Sequence, residues 1–149
     1  MDCKEEEEPQ DCSISKVIIL RNLYNDTATF SYNAMGNPTA INVTNVATGK
    51  PNYVFKYDAM NRLSQFIGVY SNGFTENWIM YVYGPDGRVV MDTTYTFAAY
   101  NGGTAPTGYW GLRINRYTYD AMGRISRVDT DALLPAPAYS YTTNYNYDA

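Results

Sequence analysis

The chain has 149 residues, 16 of them Tyr and none of them His, with two Cys and a formal net charge of −4. That length fits one domain able to bury about two thirds of its unfolded surface without staples. Absent His excludes a Ser-His-Asp triad, a Cys-His pair and a His-ligated metal, while two Cys cannot build a four-thiolate zinc site or a disulfide framework.

At the start, Asp2, Glu5, Glu6, Glu7, Glu8 and Asp11 hold six of the 15 carboxylates. Such a block is the composition of a solvated tail, so residues 1–13 are read as a flexible acidic leader. From Ser13 onward ten Lys/Arg stand against nine Asp/Glu, so the body, residues 14–149, is close to neutral and offers no field to draw in nucleic acid. Val17 to Leu20 is an apolar run of four, far short of the roughly 20 residues of a membrane-spanning helix, and reads as a first strand.

From Phe30 onward one phrase recurs. It runs Phe30-x-Tyr32-Asn33-Ala34-Met35-Gly36-Asn37, then Phe55-x-Tyr57-Asp58-Ala59-Met60-Asn61-Arg62-Leu63. It returns as Tyr81-x-Tyr83-Gly84-Pro85-Asp86-Gly87-Arg88-Val89 and Tyr117-x-Tyr119-Asp120-Ala121-Met122-Gly123-Arg124-Ile125, and a last copy reaches Tyr145-x-Tyr147-Asp148-Ala149. The second aromatic recurs at intervals of 25, 26, 36 and 28 residues. Two aromatics two apart share one face of a strand, because side chains alternate. The Asp or Asn that follows can accept a backbone hydrogen bond two residues on, and Gly or Asn tolerates positive φ. Each copy therefore predicts a β-hairpin whose type I turn ends in a left-handed residue and a bulge. The turn positions are Asn33, Gly36, Asp58, Asn61, Asp86, Gly87, Asp120 and Gly123.

Between copies, Arg62 to Tyr70 and Arg88 to Tyr95 are rich in strand formers, and Thr48 to Asn52 and Ser71 to Gly73 reverse the chain. Two stretches break the rhythm, Ala98 to Trp110 and Thr130 to Ala138, and read as ordered loops or lids on one side of the sheet. No stretch keeps a helical apolar period over three turns. The prediction is all-β: an antiparallel meander of tandem hairpins with about nine or ten strands, twisted or curled.

The phrase resembles the repeat unit of the Rhs/YD-repeat family, a Tyr-Asp pair followed two residues later by Gly-Arg and an aliphatic residue. Tyr119 to Ile125 matches throughout, Tyr57 to Leu63 has Asn61 in place of Gly, and the first and third copies depart at the Asp. The resemblance covers roughly residues 28 to 149. It implies a non-catalytic β-sheet scaffold of bacterial surface or secreted proteins, able to spiral into a shell. A second, shorter resemblance lies at Cys3-Lys4-Glu5-Glu6-Glu7-Glu8, which looks like the start of a mature Bacteroidota lipoprotein. It implies lipidation at Cys3 and display on the outer membrane, the membrane being met only through that anchor. A Cys3-Cys12 disulfide is the alternative use of these thiols.

Candidate binding residues are the aromatics outside the repeat phase, Trp78, Tyr100, Tyr109 and Trp110, three of them in or beside the first insertion, since loops on a rigid sheet tend to carry function. Arg62, Arg88 and Arg124 recur at one repeat position, where they either serve packing or form an Arg/Tyr surface for sugars or polyanions. Asp58, Asp86, Asp120 and Asp148 are each read at the head of a turn and so already have structural work, and no catalytic residue, metal or cofactor is expected. The expected function is a binding module for a glycan or protein at the bacterial surface, or alternatively a structural fragment of a larger shell or an accessory subunit of an outer-membrane assembly. Residues 139–149 hold a rising strand without its return strand, an edge that another chain could pair with.

Overall fold

The computed structural model describes residues 13–20 and 25–148. The rest of the leader, with Cys3 and Cys12, and the last residue, Ala149, lie outside the described residues. Ten strands follow one another: β1 (Lys16–Leu20), β2 (Asn25–Tyr32), β3 (Pro38–Val43), β4 (Asn52–Tyr57), β5 (Leu63–Val69), β6 (Thr75–Tyr83), β7 (Val89–Thr96), β8 (Gly111–Tyr119), β9 (Ile125–Leu134) and β10 (Tyr139–Asn144). They form a single antiparallel sheet in sequence order, with β1 and β10 at its two edges. Among the described residues there is no helix. The chain is thus the all-β meander of tandem hairpins that its periodicity predicts.

Four hairpins carry the phrase and turn alike. In the second, the Asp58 amide donates to the Arg62 carbonyl at 2.9 Å and the Asn61 amide to the Asp58 carbonyl at 3.0 Å, and the same pair of bonds closes the turns headed by Asn33, Gly84 and Asp120. The fourth turn residue is left-handed every time, with φ of 78° at Gly36, 60° at Asn61, 80° at Gly87 and 80° at Gly123. Register slips by one residue beside Tyr32, Tyr57, Tyr83 and Tyr119, the bulge such a turn imposes.

Two details differ from the sequence expectation. Asp86 does not head its turn: Gly84 does, and the Asp86 carboxylate reaches the Arg88 amide at 3.2 Å from the third turn position. A Cβ on Gly84 would meet the Asp86 carboxylate oxygen at 3.1 Å and Val90 at 2.9 Å, so the two side chains compete for one space. The second insertion is shorter than Thr130 to Ala138. Strand β9 runs on to Leu134 because Thr130 and Ala132 are buried and stay paired with Asn115 and Arg113, and the ladder ends at Pro135, which has no amide to donate.

Alternation gives the sheet two unlike faces. The phrase aromatics and their cross-strand partners share one, with Phe55 against Phe66 at 5.4 Å between ring centroids. On the other, the first insertion folds down over β4 to β7. Lys56 Nζ donates to the Gly103 carbonyl at 2.6 Å, Gln65 Nε2 to the Thr104 carbonyl at 3.2 Å, and Tyr100 meets the Trp78 ring edge-on at 5.5 Å. Beneath it Ile67, Trp78 and Ala98 are completely buried, and they are the centre of the core.

Candidate binding site

In a meander the connections between successive hairpins gather at the end of the sheet opposite the phrase turns. Three of them, β3–β4, β5–β6 and β7–β8, enclose a cleft of about 650 Å³. Its apolar lining is Val46, Tyr70, Phe74, Phe97 and Trp110, and Thr48, Ser71 and Asn72 add hydroxyl and amide groups. Large apolar side chains are usually withdrawn from water, yet Trp110 is 75% exposed, Phe74 47% and Phe97 46%.

These rings are held by local bonds. The β5–β6 turn closes through Tyr70 and Phe74 at 2.8 Å, with left-handed Gly73 at its fourth position and the Asn72 side chain accepting from the Phe74 amide at 3.1 Å. The Tyr70 hydroxyl donates to Glu76 at 2.8 Å; burial, then that carboxylate, raises its pKa above the usual phenol value. Buried Thr75 grips the first residue of the insertion: its amide donates to the Ala98 carbonyl at 2.8 Å and its hydroxyl accepts from the Ala98 amide at 3.1 Å. On the far side the Trp110 amide donates to the Thr96 carbonyl at 3.0 Å. Between these fixed points Phe97 takes φ of 50°, the left-handed region that a bulky residue enters at a cost of about 1–3 kcal/mol. Such a conformation persists only where neighbouring contacts enforce it, and here it aims an aromatic ring into the cleft.

The sequence candidates separate in space. Trp110 lines the cleft. Trp78 is fully buried and its indole N–H donates to Gln65 at 3.2 Å, so it is a core residue rather than a contact surface. Tyr100 packs on Trp78, and Tyr109 on Tyr95 at 4.8 Å, so both fasten the insertion to the sheet. Phe74, Phe97 and Tyr70 line the cleft without having been candidates. Phe74 follows an Asn-Gly turn signal and Phe97 borders the insertion, but nothing local in the sequence brings the three together.

Arg62, Arg88 and Arg124 form an inter-repeat ladder on the phrase side. Each guanidinium lies over the second Tyr of the following copy: Arg62 over Tyr83 at 4.3 Å, Arg88 over Tyr119 at 5.3 Å, Arg124 over Tyr147 at 4.3 Å. Arg62 and Arg124 also pair with their turn carboxylates, Asp58 at 2.7 Å and Asp120 at 2.8 Å. The Tyr hydroxyls reach back one copy. Tyr57 donates to the Pro38 carbonyl, Tyr83 to Leu63, Tyr119 to Val89 and Tyr147 to Ile125, all between 2.7 and 2.8 Å. With rings, forks and hydroxyls so engaged, this ladder joins repeats.

One buried polar cluster was not foreseen. Asp92, 4% exposed in β7, accepts from the Asn115 amide at 3.1 Å and from the hydroxyls of Thr94 and Tyr117. Burial, then the hydrogen bond to Asp92, raises the Tyr117 pKa far above its usual value, which keeps the phenol protonated as a donor. Every Asp92 partner named here is neutral and none of the group lines the cleft described above, so its chemistry is that of a satisfied core polar network. Among the described residues no group of three or more His, Cys, Asp or Glu is placed to hold a metal ion. A scan against protein-family models and a search of curated proteins found no match to this chain.

Proposed function

We propose that the chain is a non-catalytic binding module of Rhs/YD-repeat type, displayed on or secreted from a bacterial surface, whose cleft at the inter-hairpin end of the sheet binds a glycan. The observation that carries this reading is the set of exposed rings of Trp110, Phe97 and Phe74, one of them held in an unfavourable backbone conformation. Pyranose rings present apolar C–H faces that stack on aromatic planes, and their hydroxyls need nearby donors and acceptors. Thr48, Ser71 and Asn72 supply such groups at the same cleft. The Arg/Tyr ladder has no part in binding on this reading.

A glycan array probed with the wild-type chain and with Trp110→Ala and Arg88→Ala tests the proposal. Binding to a restricted set of glycans is expected, lost at least tenfold in Trp110→Ala and kept in Arg88→Ala. No glycan bound, or binding indifferent to Trp110, would overturn it.

A further inference from the structure

The two edges of the sheet are halves of one hairpin. Strand β10 rises into the last phrase, whose Tyr145 and Tyr147 follow directly on its end. Strand β1 belongs to no complete phrase, yet three observations give it the character of a return strand. Tyr32 donates to the Ile14 carbonyl at 2.7 Å as Tyr147 donates to that of Ile125 at 2.8 Å, which makes Ile14 the counterpart of the aliphatic residue that follows each repeat Arg. The register repeats: Lys16 faces Thr29 and Val17 faces Ala28 as Arg127 faces Asn144 and Val128 faces Thr143. The residues correspond too, since Ile14-Ser15-Lys16-Val17 parallels Ile125-Ser126-Arg127-Val128.

Among the described residues neither edge has an outer neighbour. All five residues of β1 and all six of β10 are exposed, and Ile18, Ile19 and Leu20 on β1 are an apolar strand edge of the kind that natural sheets usually blunt. We propose that a second copy of this chain fills that edge: β10 of one copy pairs antiparallel with β1 of the next, completing between chains the hairpin that β8 and β9 form within one. Transferring the β8–β9 register sets Asn146 opposite Lys16, Tyr145 opposite Val17 and Asn144 opposite Ile18 of the neighbouring copy.

Hydrogen-bond parity agrees with this register. The Tyr145 amide donates inward to Ser126 and the Phe30 amide to Ser15. Alternation along an antiparallel strand then turns outward the amides of Asn144, at the end of β10, and of Asn146, just past it, and those of Lys16 and Ile18 on β1. Face parity agrees as well, because Tyr145 and Val17 both lie on the phrase-aromatic face of their own sheets. The contact joins unlike edges, so it is heterologous and propagates unless its rotation closes a ring.

Sedimentation velocity over a wide concentration range tests it, with Asn144→Pro and Ile18→Pro as edge variants. Each removes one outward donor and no inward bond, a substitution that edge strands tolerate. A variant that loses its strand circular dichroism is replaced by Lys at the same position. Expected are wild-type species larger than one chain that grow with concentration, monomers for either variant alone, and a species of two chains and no more when the variants are mixed, because each keeps the edge the other lacks. A wild type that stays monomeric, a single variant that still self-associates, or a mixture that stays monomeric would each overturn the proposal.

Discussion

Asp58 and Asp120 show how much one side chain decides. One carboxylate oxygen accepts from the amides two and four residues on, at 2.9 Å in each case, while the other takes the Arg fork. The backbone amide of the following Arg, then its side chain, holds each carboxyl below the usual pKa range. A depressed folded-state pKa means that the unfolded chain binds the proton more readily. The stabilisation is therefore complete above the unfolded value of about 3.9 and is lost as pH falls through the folded value. Melting temperature should drop on acidification below about pH 4, and the double variant Asp58→Asn/Asp120→Asn should flatten that slope when melting is followed across pH. Asn33 indicates that the fold tolerates the change: its amide oxygen makes the same two turn bonds, at 3.0 Å. These turns were legible in the sequence because every bond in them closes within five residues. Asp86 was misplaced because Gly84 moved the acceptor two positions along a turn whose backbone did not change.

At the scale of elements, the β7–β8 insertion positions the cleft, and its course was not legible. The contacts that lay it on the sheet are Lys56 to Gly103 and Gln65 to Thr104, 47 and 39 residues apart, and no local pattern announces them. Its aromatic content drew attention to Trp78, Tyr100, Tyr109 and Trp110 together, yet three of these rings secure the insertion and one faces the cleft. Return from the insertion into β8 depends on Gly111, which pairs with Thr96 and where a Cβ would overlap the Thr96 hydroxyl. Gly111→Ala is expected to destabilise the fold by about 1–3 kcal/mol by chemical denaturation, because the Thr96 hydroxyl must leave its rotamer and the Thr96 Cβ, 3.3 Å away, must also give. A variant as stable as the wild type would show that the insertion is not clamped there.

For the whole molecule, hairpin count, strand order and antiparallel pairing follow from the recurrence of one phrase, since each copy fixes its own turn and its Arg, stacked on the next copy's Tyr, fixes the spacing. What the phrase leaves open is the far end of the sheet, where three unlike connections meet and the binding surface is proposed. The protein contains its own reference for testing that surface: of its two Trp residues, Trp78 is completely buried and Trp110 is 75% exposed. The two indole N–H resonances of the labelled protein, followed while a glycan selected from the array is titrated in, read the cleft and the core side by side. The account predicts that the Trp110 resonance shifts in a saturable way while that of Trp78 stays in place; a stationary Trp110 resonance under conditions where the glycan is bound would contradict it.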